Sequence, residues 1–180
     1  MRILAPSAAA LWLAACSRSD AAPRMDAESF DPVASVVMHP RCSNCHQLAF
    51  PRQTDAAIRH AQLVVRGADG HGAPTLQCET CHQTSNTAEG RVPGAPKWHL
   101  APLSMVWEGR TKAEICAQLK DPTRNGGRLN GEQVIEHMKT DPLVLWAWTP
   151  GASRTPPPLS HRQFVAALEA WVKAEMPCPR

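Results

Sequence analysis

Apolar positions recur with helical spacing near the C-terminus. Phe164, Leu168, Trp171 and Val172 fall on one stripe of "HRQFVAALEAWVKAEM", and Ser160 with Gln163 is placed to cap its start. Two shorter helices are predicted upstream. Thr111 with Glu114 reads as a capping box ahead of "KAEICAQLK", which Pro122 ends, and Asn130 with Gln133 can cap "GEQVIEHMK", which stops before Pro142. Earlier, "DPVASVVM" offers Asp31 as N-cap and Pro32 as first helical residue, a short helix leading towards Cys42. The run "LVLWAW" fits a short strand or an extended wall. From Phe50 to Leu103 the chain is dominated by Gly, Pro, Asn, Thr and His and reads as loop. In an ordinary globular chain so long a loop argues against the assignment.

At the other end, "MRILAPSAAALWLAAC" has one arginine, an almost uninterrupted apolar run from Ile3 to Ala15, and then Cys16. The run is too short to span a bilayer and reads as a secretory signal over residues 1–15. The ending Leu13-Ala14-Ala15-Cys16 resembles a bacterial lipobox, in which Cys16 is acylated and becomes the first mature residue. Ordinary cleavage near Ala21 and Ala22 is the alternative. Several acyl chains on one residue give a stable anchor, which a single chain does not. Ser17 after the cysteine resembles the sorting signal for the outer membrane, facing the periplasm; without lipidation the expectation is the soluble periplasm. Residues 16–30 then serve as a flexible tether, and 31–180 form one domain.

Composition changes the reading of the loops. There is no Tyr, and only three Phe stand against seventeen Pro, so the chain is a poor core builder and calls for something besides side chains at its centre. The formal charge of +3 falls to +2 once Arg2 leaves with the signal, with no long basic or acidic run, which argues against a nucleic-acid partner. There is no internal repeat beyond the motifs below, no phosphate-binding glycine loop and no nucleophile constellation.

Two motifs have the form CxxCH: Cys42, Cys45, His46 and Cys78, Cys81, His82. A dithiol redox site normally follows a strand, and neither motif has a β-branched strand before it. Paired CxxC is also a zinc-ribbon ligand set. Covalent haem c accounts for all five positions of each motif: two thiols bond the vinyl groups at the porphyrin edge, and the next histidine ligates iron. Two haem c groups are therefore expected, with His46 and His82 as proximal ligands. The loops then have cofactors to pack on, and without them little stable fold is expected.

Each iron takes a sixth ligand or stays open, and that choice separates carriers from catalysts and gas binders. His39 lies too close to Cys42 to reach its own iron. His60 and His71 flank the glycine-rich "VVRGADGHGAP", and His99 follows the second motif beside Trp98; these three are the distal candidates. His137 and His161 fall in or at the start of predicted helices and are expected to face solvent. Met105 is the rival ligand, with a packing role as its ordinary alternative. Once four cysteines are assigned to haem and one to lipid, Cys116 and Cys178 remain, and an oxidising compartment favours a disulfide between them. Two unpaired buried cysteines are the alternative.

The segments "HPRCSNCH", "VRGADGHGAP", "CETCHQ", "PGAPKWHLAP", "KDPTRNGG", "DPLVLWAWTPG" and "TPPPLSH" resemble a group of small exported two-haem proteins often labelled isoquinoline 1-oxidoreductase subunits. The resemblance implies a cytochrome that accepts electrons from a dehydrogenase of the molybdenum hydroxylase type. It is not that enzyme's catalytic subunit, because no molybdopterin or iron-sulfur ligand pattern is present. The expected fold is mostly α with extensive loops, a multihaem cytochrome c-like domain organised around two covalently bound haems. The expected function is periplasmic electron transfer to a respiratory acceptor rather than catalysis. The alternatives are a small dihaem peroxidase-type oxidoreductase with one open iron and a haem-based sensor of a diatomic gas.

Overall fold

The computed structural model describes residues 27–151 and 154–180. The expected signal, the lipid site at Cys16, the alternative cleavage at Ala21 and Ala22, and the tether as far as residue 26 lie outside the described residues. The chain is mostly helical among its regular elements, with long loops and two minimal sheets. Among the described residues no helix is long and apolar enough to cross a membrane.

A 3-10 turn, Ala27–Phe30, runs directly into α1, Asp31–Val37, and α2 follows at Pro40–Ser43. The expected cap at Asp31 is not formed. Phe30 occupies the N-cap position with a backbone that is already helical (φ −85°, ψ −14°), so no extended residue is left to cap from. Asp31 instead pairs with Lys112 at 2.5 Å. Phe30 itself is fully buried, so the packed domain begins before residue 31.

The loop region carries two hairpins. Strand β1, Arg52–Gln53, pairs antiparallel with β2, Ile58–Arg59, and β3, Gly72–Ala73, with β4, Leu76–Gln77. Each strand has two residues, so this region draws little order from sheet hydrogen bonding. The buried Arg66 guanidinium acts as a staple in its place, donating to the carbonyls of Gln47, Leu48 and Ala101.

Helix α3 spans Lys112–Lys120, with both halves of the Thr111/Glu114 capping box present. Helix α4 spans Gly131–Thr140. Asn130 Oδ1 accepts from the Gln133 amide at 3.0 Å, while the Gln133 side chain accepts from Leu129. The run "LVLWAW" is helical, not extended: α5 spans Pro142–Leu145 and continues as a 3-10 turn through Trp146–Trp148. Asp141 starts it, accepting from the amides of Leu143 and Val144, with Pro142 pre-set in the first turn. The last helix, α6, spans His161–Lys173 behind the Ser160/Gln163 capping box.

The stripe of α6 meets α1, α3 and α4 in a core that includes Phe30, Val33, Leu119, Phe164, Leu168 and Trp171. Phe30 and Trp171 pack with ring centroids 5.1 Å apart. Cys116 and Cys178 sit at disulfide distance, Cα to Cα 5.6 Å, joining α3 to the C-terminal tail. The helical half therefore has an apolar core of its own side chains. This corrects the expectation that the chain lacks one, and the shortage is confined to the loop half.

Candidate functional site

The two CxxCH motifs open onto two adjoining cavities of about 230 and 240 Å³. Cys42, Cys45 and His46 line the first-motif cavity together with Met105, Trp107 and His137. Cys78, Cys81 and His82 line the second-motif cavity together with His60 and Trp98. Cys45, Arg41, His99 and Trp146 line both, so the cavities share a wall.

The motif histidines are held alike although their neighbours come from different loops. His46 Nδ1–H donates to the Met105 carbonyl at 2.7 Å, and its ring stacks on Trp107 with centroids 3.5 Å apart and planes 8° from parallel. His82 Nδ1–H donates to the Pro93 carbonyl at 2.7 Å, and its ring stacks on Trp98 at 4.5 Å and 5°. A carbonyl can only accept, so each contact fixes the proton on Nδ1 and leaves the Nε2 lone pair available. The backbone sets these positions. Trp107 and Glu108 amides both donate to the His46 carbonyl, while the loop bearing Pro93 approaches so closely that a Cβ at Gly94 would lie 2.1 Å from the Ser85 carbonyl. Burial pushes His46 down to about 4 and lowers His82 as well, so both rings are neutral near pH 7, as metal ligands must be.

The two first-motif thiols are held in the protonated form. Cys42 reaches the cavity but is otherwise walled by protein, and burial pushes it up to about 12; burial, followed by the neighbouring Cys78, pushes Cys45 to about 11. Thiols raised in this way are poor free nucleophiles at neutral pH. Among the described residues no three or more His, Cys, Asp or Glu side chains converge where a metal ion could be caged. A zinc ribbon requires that convergence. A porphyrin brings four nitrogens of its own and asks the protein for one donor per face.

The distal candidates separate. His60 stands across the second-motif cavity from His82, ring centroids 6.1 Å apart and planes 76° from parallel. Two imidazoles sharing one metal through bonds of about 2 Å have centroids about 6 Å apart. His71 is stacked on His99 at 5.1 Å and lines neither cavity, whereas His99 lines both and donates from Nδ1 to the Lys97 carbonyl at 2.5 Å. Met105 is buried at the first-motif cavity. His39 is used otherwise, its Nδ1 capping α2 by accepting from the Arg41 amide.

His137 is not on the solvent face: its side chain keeps 20% exposure and lines the first-motif cavity. His161 is half-buried, donating through Nε2 to the Met138 carbonyl at 2.9 Å and packing edge-on against Trp148. Sequence reading also missed Arg41. Its side chain is 2% exposed, is paired with Asp55 at 2.6 Å and lies in the shared wall. Its one visible signal is its place immediately before Cys42.

Among the described residues, six buried side-chain polar atoms have no partner. Four of them, Arg41 Nε, Asn44 Oδ1, His60 Nδ1 and Trp107 Nε1, belong to cavity-lining residues. Buried polar atoms are normally paired, so these four are exceptions concentrated in the cavity walls. No protein-family model, curated protein or solved structure matches the chain.

Proposed function

We propose that the chain is a two-haem c-type cytochrome that relays single electrons on the exported side of a bacterial membrane. The carrying observation is the construction made twice: a CxxC pair and a histidine open on one cavity, with Nδ1 on a backbone carbonyl, the ring stacked on Trp and Nε2 left free. The residues fit haem c: Cys42 and Cys45, or Cys78 and Cys81, for the thioethers, and His46 and His82 as proximal ligands. Bound haem supplies a one-electron iron couple. The protein's part is to hold the ligands rigid, keep the imidazoles neutral and wall the ring with Trp. His60, whose ring centroid lies 6.1 Å from that of His82 across the cavity, would be the second residue to hold the iron of that haem. Rigid imidazoles on both faces suit relay, because little rearrangement then opposes a change of oxidation state.

The resemblance to the isoquinoline 1-oxidoreductase subunit group supports a periplasmic dehydrogenase of the molybdenum hydroxylase type as donor and a respiratory protein as acceptor. A lipid at Cys16 would tether the domain to the membrane. The test is maturation of the full chain in a host with a haem c attachment system. Intact mass should show two haem additions, with one lost in each of Cys45→Ala and Cys81→Ala. The parent should not bind carbon monoxide, while His60→Ala should turn one haem high-spin and open it to carbon monoxide. A zinc-loaded, haem-free product defeats the cytochrome reading. Rapid carbon monoxide binding by the parent shifts the function to a peroxidase-type enzyme or a gas sensor.

A further inference from the structure

The first-motif cavity needs an imidazole opposite His46 if both irons are to be closed, and the sequence places none of its distal candidates there unambiguously. Met105 is poorly placed. Its own carbonyl accepts the His46 Nδ1 proton at 2.7 Å, so its backbone lies behind the histidine, on the side away from Nε2. To ligate from the opposite face its thioether would have to cross the plane of the ring. His60 lines the second-motif cavity, not the first.

That leaves His99 and His137 among the histidines lining this space. His99 sits in the shared wall with its ring stacked on His71. His137 projects from α4 into the first-motif cavity alone, its Nδ1 lying 3.5 Å from Asp141 Oδ2, an ion-pair distance longer than a hydrogen bond. Asp141 is itself fixed, because its other oxygen caps α5 by accepting from Leu143 and Val144 at 2.9 and 3.3 Å. An anchored carboxylate beside Nδ1 orients the ring and favours the proton on that nitrogen, leaving Nε2 as the lone-pair donor, an arrangement that recurs behind metal-bound imidazoles.

We propose that His137 is the second axial ligand of the haem attached at Cys42 and Cys45, opposite His46, with Asp141 as its positioning residue. This rests on the two-haem reading and extends it, since it makes the helical half of the molecule a direct ligand donor to the loop half. Binding is donation of the Nε2 lone pair, with no change of oxidation state and no proton released.

The test uses the full chain carrying two haems, verified by intact mass before any spectrum is read. Ferric absorption and electron paramagnetic resonance should show both parent haems low-spin. In His137→Ala, half of the haem should become high-spin and return to low-spin when free imidazole is added. The double variant His60→Ala, His137→Ala should have both haems high-spin, which shows that the two histidines serve different irons. His137→Met, which restores a donor and guards against simple misfolding, should stay low-spin and raise the potential of one haem only. Asp141→Asn should keep both haems low-spin while moving the potential and resonance of that same haem, which a purely structural role would not do. If His137→Ala or its refolded form keeps both haems low-spin with both attached, the assignment is overturned, and a high-spin haem in His99→Ala would name the residue that replaces it. Absence of haem from the parent is a different failure, that of the cytochrome reading itself.

Discussion

At the scale of single residues, the polar groups placed between the cavities show how charge is managed there. Arg41 is buried with one carboxylate partner, and Asp55 divides its two oxygens between that guanidinium and Thr155, whose amide and hydroxyl donate at 3.0 and 2.8 Å. Burial alone would raise the Asp55 carboxyl, but the Thr155 donors and then Arg41 outweigh it and hold it below the usual carboxylate range. A carboxyl depressed in the folded state stabilises the fold fully above its unfolded value near 3.9, and loses that contribution as pH falls through the lower folded value. Asp55→Asn should therefore cost about 1–2 kcal/mol at pH 7, because it leaves Arg41 uncompensated while Asp55 itself is partly solvated. In urea melts the variant's deficit should shrink as the pH is taken below 4. An unchanged deficit down to pH 2 would assign the cost to packing rather than charge.

At the scale of elements, legibility followed the range of the interactions. The Thr111 and Ser160 capping boxes and the stripe of α6 were readable because their causes lie within four residues along the chain. Asp31 failed as a cap because the preceding turn was already helical, which depends on Phe30 reaching Trp171 far downstream. "LVLWAW" is helical where its apolar run suggests a strand or wall, because Asp141 followed by Pro142 begins a helix as well as ending the one before. The motif cysteines and histidines were legible from spacing, whereas the 6.1 Å approach of His60 to His82 and the turn of His137 into its cavity arise from tertiary folding. One contact between elements invites a direct check. A Cβ on Gly131 at the start of α4 would lie 2.5 Å from Val172 Cγ1 on α6, and Val172 is β-branched and stiff. Gly131→Ala should destabilise by about 1 kcal/mol, overpacking outweighing the helix propensity of Ala, with Val172→Ala in the same chain recovering the loss in thermal melts. A stabilised single variant would mean that the helices do not pack this closely.

At the scale of the whole molecule, a helical half with its own apolar core carries a loop half held by the two buried arginines, Arg41 and Arg66, around the two cavities. The Cys116–Cys178 link closes the helical half across a sequence separation of 62 residues. A loop of that size corresponds to about 4 kcal/mol in the chain-entropy account. Adding a reductant should lower the unfolding midpoint in urea without removing thioether-bound haem, and an unchanged midpoint would show the bond to be unformed or energetically idle. The wall shared by the two cavities has a separate consequence. Cys45, Arg41 and Trp146 face both spaces, so two irons held there would lie within range of each other's charge inside a poorly screened interior. An electron arriving at one centre would make the other harder to reduce. On the two-haem proposal the molecule would then act as a graded two-step capacitor, in which the electron taken up last is the one given up most readily, and not as two independent wires.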